Sequence, residues 1–264
     1  MRPGVYYNMT GEEYRGIEAL NAGKYLPLSK SPAHCQVPAE ETPAMRFGAA
    51  YHCAILEPHR YAGDYAVAPK IDKRTKAGKL VWAQWQEEND GKAVISQEDA
   101  DTIGSMAEVL KSHETASLLL SRGQKEVSLF WQCPHTGILC KARLDSWDGE
   151  NAIIPDLKTS NNAAPQAFQK SVANYFYHLQ AAHYLEGIIE LTDTGHSWTW
   201  IVQEKNAPYA VAVYEPDAEM LYVAREMMRP LRDLYAQCLR SGVWPGYSEG
   251  IKEVSLPRWA IQNI

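Results

Sequence analysis

Two carboxylates and an ammonium lie close together in the sequence, between Asp145 and Lys158. Asp156 follows Asp145 after ten intervening residues, and Lys158 follows Asp156 by two positions. Carboxylates held near each other repel unless a cation or a shared proton intervenes, and hard oxygen ligands suit Mg²⁺ or Mn²⁺. A neighbouring ammonium can orient a water or neutralise charge that develops on a phosphorane. The segment therefore contains the residue types for metal-dependent hydrolysis of a phosphodiester.

The sequence around these side chains alternates with the period of a β-strand. It predicts three antiparallel strands, KEVSLFWQC, ILCKARLDSW and AIIPDLKTS, joined by tight turns with Asp148-Gly149 as a hairpin dipeptide. Residues i and i+2 lie on one face of a strand, so this pairing predicts one charged face. Its members are Glu126, Lys141, Arg143, Asp145, Asp156 and Lys158. The alternative is a solvated face with cross-strand ion pairs.

Helical patterns surround the predicted strands. Small and apolar residues recur at helical spacing between Ala44 and Leu56, which places His52 inside a helix. A second helix begins at Ser96, with Asp99 as its capping-box partner, and runs through LLL at 118–120. A long helix is predicted over 164–190, and a last one from Asp217 to Leu239. The predicted fold is α/β, an α+β mixed sheet flanked by helices.

Composition restricts the class of protein. Lys and Arg number 26 and Asp and Glu number 32, so the net charge of −6 predicts that any nucleic-acid site is local. The run KIDKRTKAGK at 70–79 is such a local cluster, although a run of this kind is more often a solvated loop. Five cysteines without a CxxC pair argue against a zinc module, an iron–sulfur cluster or a disulfide scaffold. We expect a cytoplasmic protein without a membrane span, because no leader and no long apolar run is present.

Several motifs together resemble one group of nucleases. CKARLD followed by PDLK resembles the core of the PD-(D/E)XK nuclease superfamily, and FGAAYHCAILEP resembles the helix that supplies a metal-binding histidine in its RecB-like and RecE-like branch. HLQAAHY matches the QxxxY motif of the same branch. KRTKAGK and the later VWPGY resemble the RecE (exonuclease VIII) group. The resemblance implies a PD-(D/E)XK nuclease-like core in a single nuclease domain over 1–264. Its parts are an irregular helical region at about 1–120, a sheet core at about 121–215 and a C-terminal helix at about 217–240.

The resemblance also implies roles for individual residues. The expected catalytic residues are Asp145, Asp156, Lys158, Gln180, Tyr184 and Glu126, and the expected metal ligands are His52, Asp145, Asp156 and the Leu157 carbonyl. The expected DNA contacts are Lys73, Arg74, Thr75, Lys76, Lys141 and Arg143. Four of these residues have a structural alternative. His52 could be a packed core residue, Gln180 and Tyr184 could lie at the edge of the core with their polar ends in water, and Glu126 could be the ion-pair partner of Lys141.

The activity implied by the resemblance is that of a metal-dependent 5′→3′ exonuclease. Such an enzyme degrades linear double-stranded DNA with Mg²⁺ or Mn²⁺ and leaves 3′ single strands for recombination by annealing. A RecT-type annealing partner and a homo-oligomeric ring, a tetramer by resemblance, are implied as well. The alternatives are a PD-(D/E)XK endonuclease, a CRISPR-type adaptation nuclease, which the lack of a cysteine cluster disfavours, and an idle DNA-binding recombination protein. The complete acid, acid and lysine set argues against the last of these.

Overall fold

The computed structural model describes residues 1–257, which form eight β-strands and eleven α-helices. The strands are β1 Gly4–Tyr6, β2 Tyr65–Val67, β3 Ala93–Ile95, β4 Gln124–Gln132, β5 Leu139–Trp147, β6 Ile153–Ser160, β7 Ser197–Glu204 and β8 Val211–Tyr214. The helices are α1 Gly11–Gly16, α2 Tyr25–Lys30, α3 Pro32–Gln36, α4 Pro43–Leu56, α5 Pro58–Asp64, α6 Lys76–Glu88, α7 Gln97–Ser112, α8 Glu114–Ser121, α9 Pro165–Asn174, α10 Tyr177–Thr192 and α11 Ala218–Ser241. Within this part of the chain, no helix combines the length and apolar character needed to cross a bilayer.

The strands form three sheets. β1, β4 and β5 form one antiparallel sheet, and β6 pairs parallel with β7, which pairs antiparallel with β8. A short third sheet joins β2 and β3. The predicted β4–β5 hairpin is thus confirmed, but the antiparallel β5–β6 pair is wrong. The helices α9 and α10 connect β6 to β7 as a crossover, and this connection gives a parallel pair.

The turn predicted between β5 and β6 is present, although the two strands do not remain paired beyond it. β5 ends at Trp147 and β6 begins at Ile153, and the single antiparallel bridge Asp148–Ile153 joins the two ends. The Asp148 carboxylate accepts the backbone N–H of Asn151 at 3.1 Å and its side-chain amide at 2.8 Å. Ala152, rather than the glycine, has the left-handed φ of 54°. A four-residue turn over 149–152, fixed by the Asp148 carboxylate, therefore joins the ends of the two strands.

Helices cover both faces of the central strands. One core joins α10 and α11 to β4, β5 and β6, and it includes Leu144, Ile154, Leu179 and Met228. The other core joins α4 and α7 to the opposite face, and it includes Tyr51, Met106, Leu157 and Ile201. Successive residues of a strand point to opposite faces, so Ile154 and Leu157 of the same strand enter different cores. The mixed α/β architecture predicted from the sequence is confirmed.

Two predicted helices are each divided in two. Phe176 takes a left-handed φ of 58° between α9 and α10, which ends the expected continuous helix after Asn174. His113 divides the helix expected after Ser96, and its side chain accepts the N–H of Ala116 to cap α8. Neither break contains glycine or proline, so the usual sequence signals for a helix end are missing. The predicted helices α4 and α11, by contrast, are found with ends that differ by at most two residues, and the Ser96 cap is confirmed.

A buried polar network links α2, α10 and α11. Arg232 donates from Nη1 to both carboxylate oxygens of Glu186 at 2.6 Å, and from Nε to the Tyr25 hydroxyl at 2.8 Å. The Nδ1 atom of His183 lies 2.9 Å from both the Tyr25 hydroxyl and Arg232 Nη2, while Nε2 lies 3.2 Å from the Lys141 carbonyl. Burial, with help from the charge of Arg232, lowers the pKa of His183 to about 3. The imidazole is therefore neutral, with its proton on Nε2.

The network predicts that acid destabilises the fold through His183. In the unfolded chain this histidine takes up a proton below about pH 6.5, whereas the folded protein resists it to about pH 3. The stabilising contribution is therefore complete above pH 6.5 and is lost as the pH falls. Relative to a His183→Gln variant, the parent should lose up to about 1.4 kcal/mol of unfolding free energy per pH unit between pH 6 and 4. Urea titrations measure this difference.

A matched control is His59→Gln, which removes an exposed histidine of α5 and should keep the pH slope of the parent. Parallel slopes for the parent and His183→Gln would contradict the neutral imidazole.

Candidate active site

The chemistry-bearing side chains meet where β5 and β6 separate. Beyond the Asp148–Ile153 bridge the side chain of Asp145 enters the gap, and its Oδ2 accepts the backbone N–H of Leu157 at 2.8 Å. Leu144 points into the α10 core, so Asp145 points to the α4 side by alternation, whereas Asp156 shares the α10 side with Ile154. The prediction of one shared charged face is therefore wrong. The two acids leave opposite faces of their strands and come together because the strands part.

His52 reaches the gap from α4. Its Nδ1 atom lies 3.6 Å from Oδ2 of Asp145, and 27% of its side chain is exposed. Burial, followed by the charge of Lys158, lowers the pKa of His52, and the Leu157 carbonyl opposes this shift. The ring is therefore neutral near pH 7, which is the state that can ligate a metal. Thr42 caps α4 through the N–H of Met45, with Pro43 at the first position of the helix.

Asp156 and Lys158 form a buried ion pair on β6. Asp156 is 2% exposed, and its Oδ2 contacts the ammonium of Lys158. Burial raises the pKa of Asp156 to about 6; Lys158 opposes the shift and the charge of Asp145 adds to it. Burial acts to lower the pKa of Lys158, but Asp156 and Asp145 outweigh it and raise that pKa above its usual value. The lysine is therefore an ammonium at neutral pH.

Gln180 and Tyr184 approach the same carboxylate from α10. Gln180 Nε2 donates to Asp156 Oδ1 at 3.4 Å, and Tyr184 lies four residues further along the same helical face. Burial raises the pKa of Tyr184 to about 12, so the phenol remains protonated. The Tyr184 ring also packs edge-on against Trp198, with ring centres 5.5 Å apart. The pair thus contacts both the core and the acid cluster.

Tyr177 is a site residue that the sequence reasoning missed. Its ring centre lies 5.1 Å from Nζ of Lys158, and it occupies the first position of α10. A signal was available, because Tyr177, Gln180 and Tyr184 follow one another at spacings of three and four, which places them on one helical face. The predicted continuous helix obscured this signal, because it gave Tyr177 no special position.

Glu126 and Arg143 form a second ion pair beside the cluster. Arg143 Nε lies 2.5 Å from Glu126 Oε2, and Arg143 Nη1 donates to the Met9 carbonyl and to Ser128 Oγ. Lys141, the expected ion-pair partner of Glu126, lies elsewhere in the structure. Glu126 has a left-handed φ of 54°, and burial, followed by the charge of Asp145, raises its pKa. A non-glycine residue in this conformation is strained, and such strain is frequent at functional sites.

Lys141 lies apart from the cluster. The residue is 4% exposed, and its ammonium donates to the carbonyls of Tyr14 at 2.8 Å and Ile17 at 2.6 Å. These bonds attach the N-terminal segment to β5. The expectation that Lys141 contacts DNA therefore conflicts with its position, because a buried ammonium bonded to two carbonyls is not presented to a phosphate.

The cationic run at 70–79 forms the approach to α6. Arg74 makes an exposed ion pair with Asp72, and Nζ of Lys73 lies 3.0 Å from the centre of the Trp82 ring. Thr75 caps α6 by accepting the N–H of Gly78 at 2.9 Å. The helix therefore starts at Lys76, inside the cationic run itself. Lys73, Arg74 and Lys76 are exposed, as phosphate contacts require.

An open cleft of about 810 Å³ adjoins the cluster. Its lining includes His52, Glu126 and Arg143, together with Arg60 of α5 and Lys92 before β3. Cations and carboxylates both line this cleft, so a charged substrate can approach the acids from this side.

The residues of the cluster fit a divalent cation. Oδ2 of Asp156 is buried and makes no well-aligned hydrogen bond, although it contacts Lys158. Two carboxylates and a backbone carbonyl are hard oxygen donors of the kind that bind Mg²⁺ or Mn²⁺, and a neutral imidazole adds a nitrogen donor of the kind that binds transition metals. Among residues 1–257, no three His, Cys, Asp or Glu side chains are already grouped as in a formed metal site. The positive charge that Asp156 faces in this arrangement is the ammonium of Lys158.

This fold, with an acid on β5 and an acid and a lysine on β6, defines a PD-(D/E)XK type of nuclease domain. Residues 28–257 match the model of the family described as "PDDEXK-like domain of unknown function (DUF3799)", and the chain belongs to this family. The matched family is not RecE by name, so membership of the RecE group stays a prediction.

A solved structure has the same fold. The crystal structure of a "putative exonuclease" from Eubacterium rectale is 13% identical, covers 96% of this chain and 98% of its own, and superposes with a TM-score of 0.64. The crystal structure of SSO0001 is 16% identical over 78% of this chain and 85% of that one, and its TM-score of 0.29 is too low to support any argument. Among curated proteins, none matches this sequence.

Proposed function

We propose that this nuclease domain is a metal-dependent 5′→3′ exonuclease that degrades linear double-stranded DNA and leaves 3′ single strands for recombination by annealing. The observation that supports the proposal is the convergence of α4, β5, β6 and α10 on one acid cluster. His52 lies 3.6 Å from Asp145, Asp145 accepts the N–H of Leu157, and Gln180 donates to Asp156. The family match and the motif resemblance to RecE support the same class of reaction.

In the proposed site, His52, Asp145, Asp156 and the Leu157 carbonyl would hold Mg²⁺ or Mn²⁺. A bound divalent ion would polarise the scissile phosphate and lower the pKa of a water. Glu126 adds a third carboxylate beside Asp145, and Arg143 holds it in place. Gln180 orients Asp156 through its hydrogen bond, and Tyr184 lies four residues further along the same face of α10.

Lys158 is proposed to act as a fixed cation. An ammonium whose pKa is raised by Asp156 and Asp145 has no lone pair with which to accept a proton. Its chemistry is therefore to donate hydrogen bonds, orienting the attacking water together with Gln180, and to stabilise negative charge on the phosphate in the transition state. Tyr177 limits the directions that this side chain can take.

DNA contacts outside the cluster are proposed for Lys73 and Arg74. Both are exposed. The ammonium of Lys73 lies over the Trp82 ring, and Arg74 forms an ion pair with Asp72. Arg143 supports the cluster through Glu126 and is proposed to act there rather than on the duplex. Assembly as a homo-oligomeric ring, a tetramer by resemblance, and action with a RecT-type annealing protein complete the proposal.

The exonuclease proposal predicts a dependence on DNA ends. Linear duplex should be degraded while covalently closed circles are spared, and a label at the 5′ end should be released before one at the 3′ end. The physical reason is that a ring must thread a terminus. A time course on linear and closed circular forms of one plasmid, with Mg²⁺ and with chelator, measures this prediction.

Efficient cutting of closed circles would favour the endonuclease alternative. No cutting of either form, with duplex binding retained, would favour the idle DNA-binding alternative. The matched control is the same plasmid, linearised by a restriction enzyme and then religated into a closed circle. Its sequence is that of the linear form, and it differs in having no ends.

A further inference from the structure

The helix α6 has an apolar and charged face that nothing in the described chain covers. Leu80 is 73% exposed and Val81 is 48% exposed, and Gly78 is the only buried residue of the helix. In the part of the chain that the structure describes, no α6 side chain belongs to either hydrophobic core. A free helix of about this length is marginal in water, because most helical stability comes from packing. The exposed face of α6 therefore lacks the packing that usually stabilises a helix.

The two faces of α6 are different. Gly78, Trp82 and Trp85 lie on the inner face: a Cβ on Gly78 would clash with the Asp72 carbonyl, Trp82 and Trp85 stack at 4.8 Å, and Lys73 covers Trp82. Lys76, Leu80, Ala83 and Glu87 follow at spacings of four, three and four, so they form one stripe on the outer face. We call these four residues the α6 stripe. It has a cation at its start, apolar residues in its middle and an acid at its end.

The charges of α6 oppose its own dipole. The first turn carries Lys76 and Lys79 without an acid, and the last turn carries Glu87 and Glu88 without a base. A helix dipole favours the reverse order, with acids at the start and bases at the end. A second helix packed antiparallel would remedy this defect, because each end would meet the opposite end of its neighbour. Duplex DNA would not remedy this defect, because its phosphates would repel Glu87 and Glu88 at the acidic end of α6.

We propose that α6 packs antiparallel against α6 of a second copy of this chain around a two-fold axis. In the matching register, Lys76 faces Glu87 of the partner and Leu80 faces Ala83 of the partner, so each contact occurs twice. The stripe is complementary to itself in charge and in its small and large apolar residues. This contact is separate from the chemistry of the acid cluster. It assigns Lys76 to the partner helix in place of the phosphate contact expected from the sequence.

The size of the contact sets the expected affinity. A helix of thirteen residues is about 20 Å long, so one helix pair buries less surface than the 1,200 Å² or more typical of a stable complex. The association should therefore depend on concentration in the micromolar range unless other surfaces contribute. If a ring forms through other surfaces, the α6 contact should join two such assemblies.

Sedimentation equilibrium of the full chain tests the proposal by charge exchange. Lys76→Glu and Glu87→Lys should each weaken the association by about 10-fold or more, since each creates two like-charge contacts. The double variant K76E/E87K should restore it to within about 3-fold of the parent, because the exchanged charges again match. Leu80→Asp should halve the assembly mass while per-protomer cleavage of linear duplex stays unchanged. Circular dichroism verifies that each variant is folded.

Glu108→Lys is the matched control, because it reverses an acid in an exposed helical pair with Lys111 on α7 and should leave the mass unchanged. A parent that is monomeric at every concentration, an unchanged mass for Leu80→Asp, or a double variant no better than the single ones would each overturn the proposal. An unchanged mass combined with weaker duplex binding by Lys76→Glu would identify α6 as a DNA contact instead. Loss of cleavage by Leu80→Asp at an unchanged mass would likewise count against a role in assembly.

Discussion

Replacing Lys158 by methionine lowers the rate of DNA cleavage by about 10³-fold or more while duplex binding stays close to that of the parent. The ammonium contacts Asp156 inside the cluster, and its raised pKa keeps it charged at neutral pH. Methionine keeps the length and apolar stem of the side chain but cannot donate a hydrogen bond or stabilise a phosphate. Single-turnover cleavage at saturating protein separates this effect from DNA binding.

The substitution also has a structural cost that the sequence did not indicate. In the structure Lys158 is the partner of a carboxylate that is 2% exposed. Without the ammonium, Asp156 should take up a proton more readily, because burial and Asp145 already raise its pKa to about 6. We expect unfolding free energy to fall by about 1–3 kcal/mol. Assays should therefore be made well below the unfolding temperature.

Lys141→Met is the control that separates an effect on stability from an effect on the cleavage step. Lys141 is also a buried lysine on a central strand, but its ammonium bonds to the carbonyls of Tyr14 and Ile17 rather than to the acids. It should lose stability comparably and keep cleavage per folded molecule. Equal cleavage by Lys158→Met and the parent would transfer the catalytic role to another residue.

Local sequence patterns predicted the elements of the site but not its assembly. The apolar spacing of α4 and the alternation of β5 and β6 are local, so His52, Asp145, Asp156 and Lys158 were placed on the right elements. The pairing of β6 depends on the crossover through α9 and α10, which is a long-range choice. A hairpin dipeptide at Asp148-Gly149 favoured the wrong partner for β6, because turn residues do not reveal whether the strands beyond them stay paired.

Sequence periodicity could not predict the gap between β5 and β6. Alternation placed the acids on one face of a continuous sheet, where they would be exposed and screened. In the structure the N–H of Leu157 bonds to the Asp145 carboxylate, a side chain, in the gap between β5 and β6. Because the strands separate here, the acids are buried, and side chains from the α4 and α10 sides of the sheet meet in one cluster. The break at Phe176, which places Tyr177 beside Lys158, is equally absent from helical periodicity.

Asp156→Asn should weaken Mn²⁺ binding by about 100-fold or more, and in the metal-free protein it leaves Asp145 as the remaining acid that acts on the buried ammonium of Lys158. Asparagine has the shape of aspartate but no charge, and an amide is a poorer ligand for a hard cation than a carboxylate. In the metal-free protein the same change removes a buried charge whose pKa is raised to about 6 by burial and by Asp145. The relief of this desolvation opposes the loss of the ion pair with Lys158, so the stability of the metal-free protein should change much less than Mn²⁺ binding does.

Calorimetry with Mn²⁺ and thermal unfolding with and without the ion measure the two effects. A ligand that binds only the folded state raises the unfolding temperature, so the parent should gain stability with Mn²⁺ and Asp156→Asn should not. Asp148→Asn is the matched control, because Asp148 is also a buried aspartate at the β5–β6 junction but bonds to Asn151. It should bind Mn²⁺ as the parent does. If Asp156→Asn binds Mn²⁺ as tightly as the parent, the carboxylate of Asp156 is not a ligand. The orphaned Oδ2 would then serve Lys158 alone, as one half of a structural ion pair.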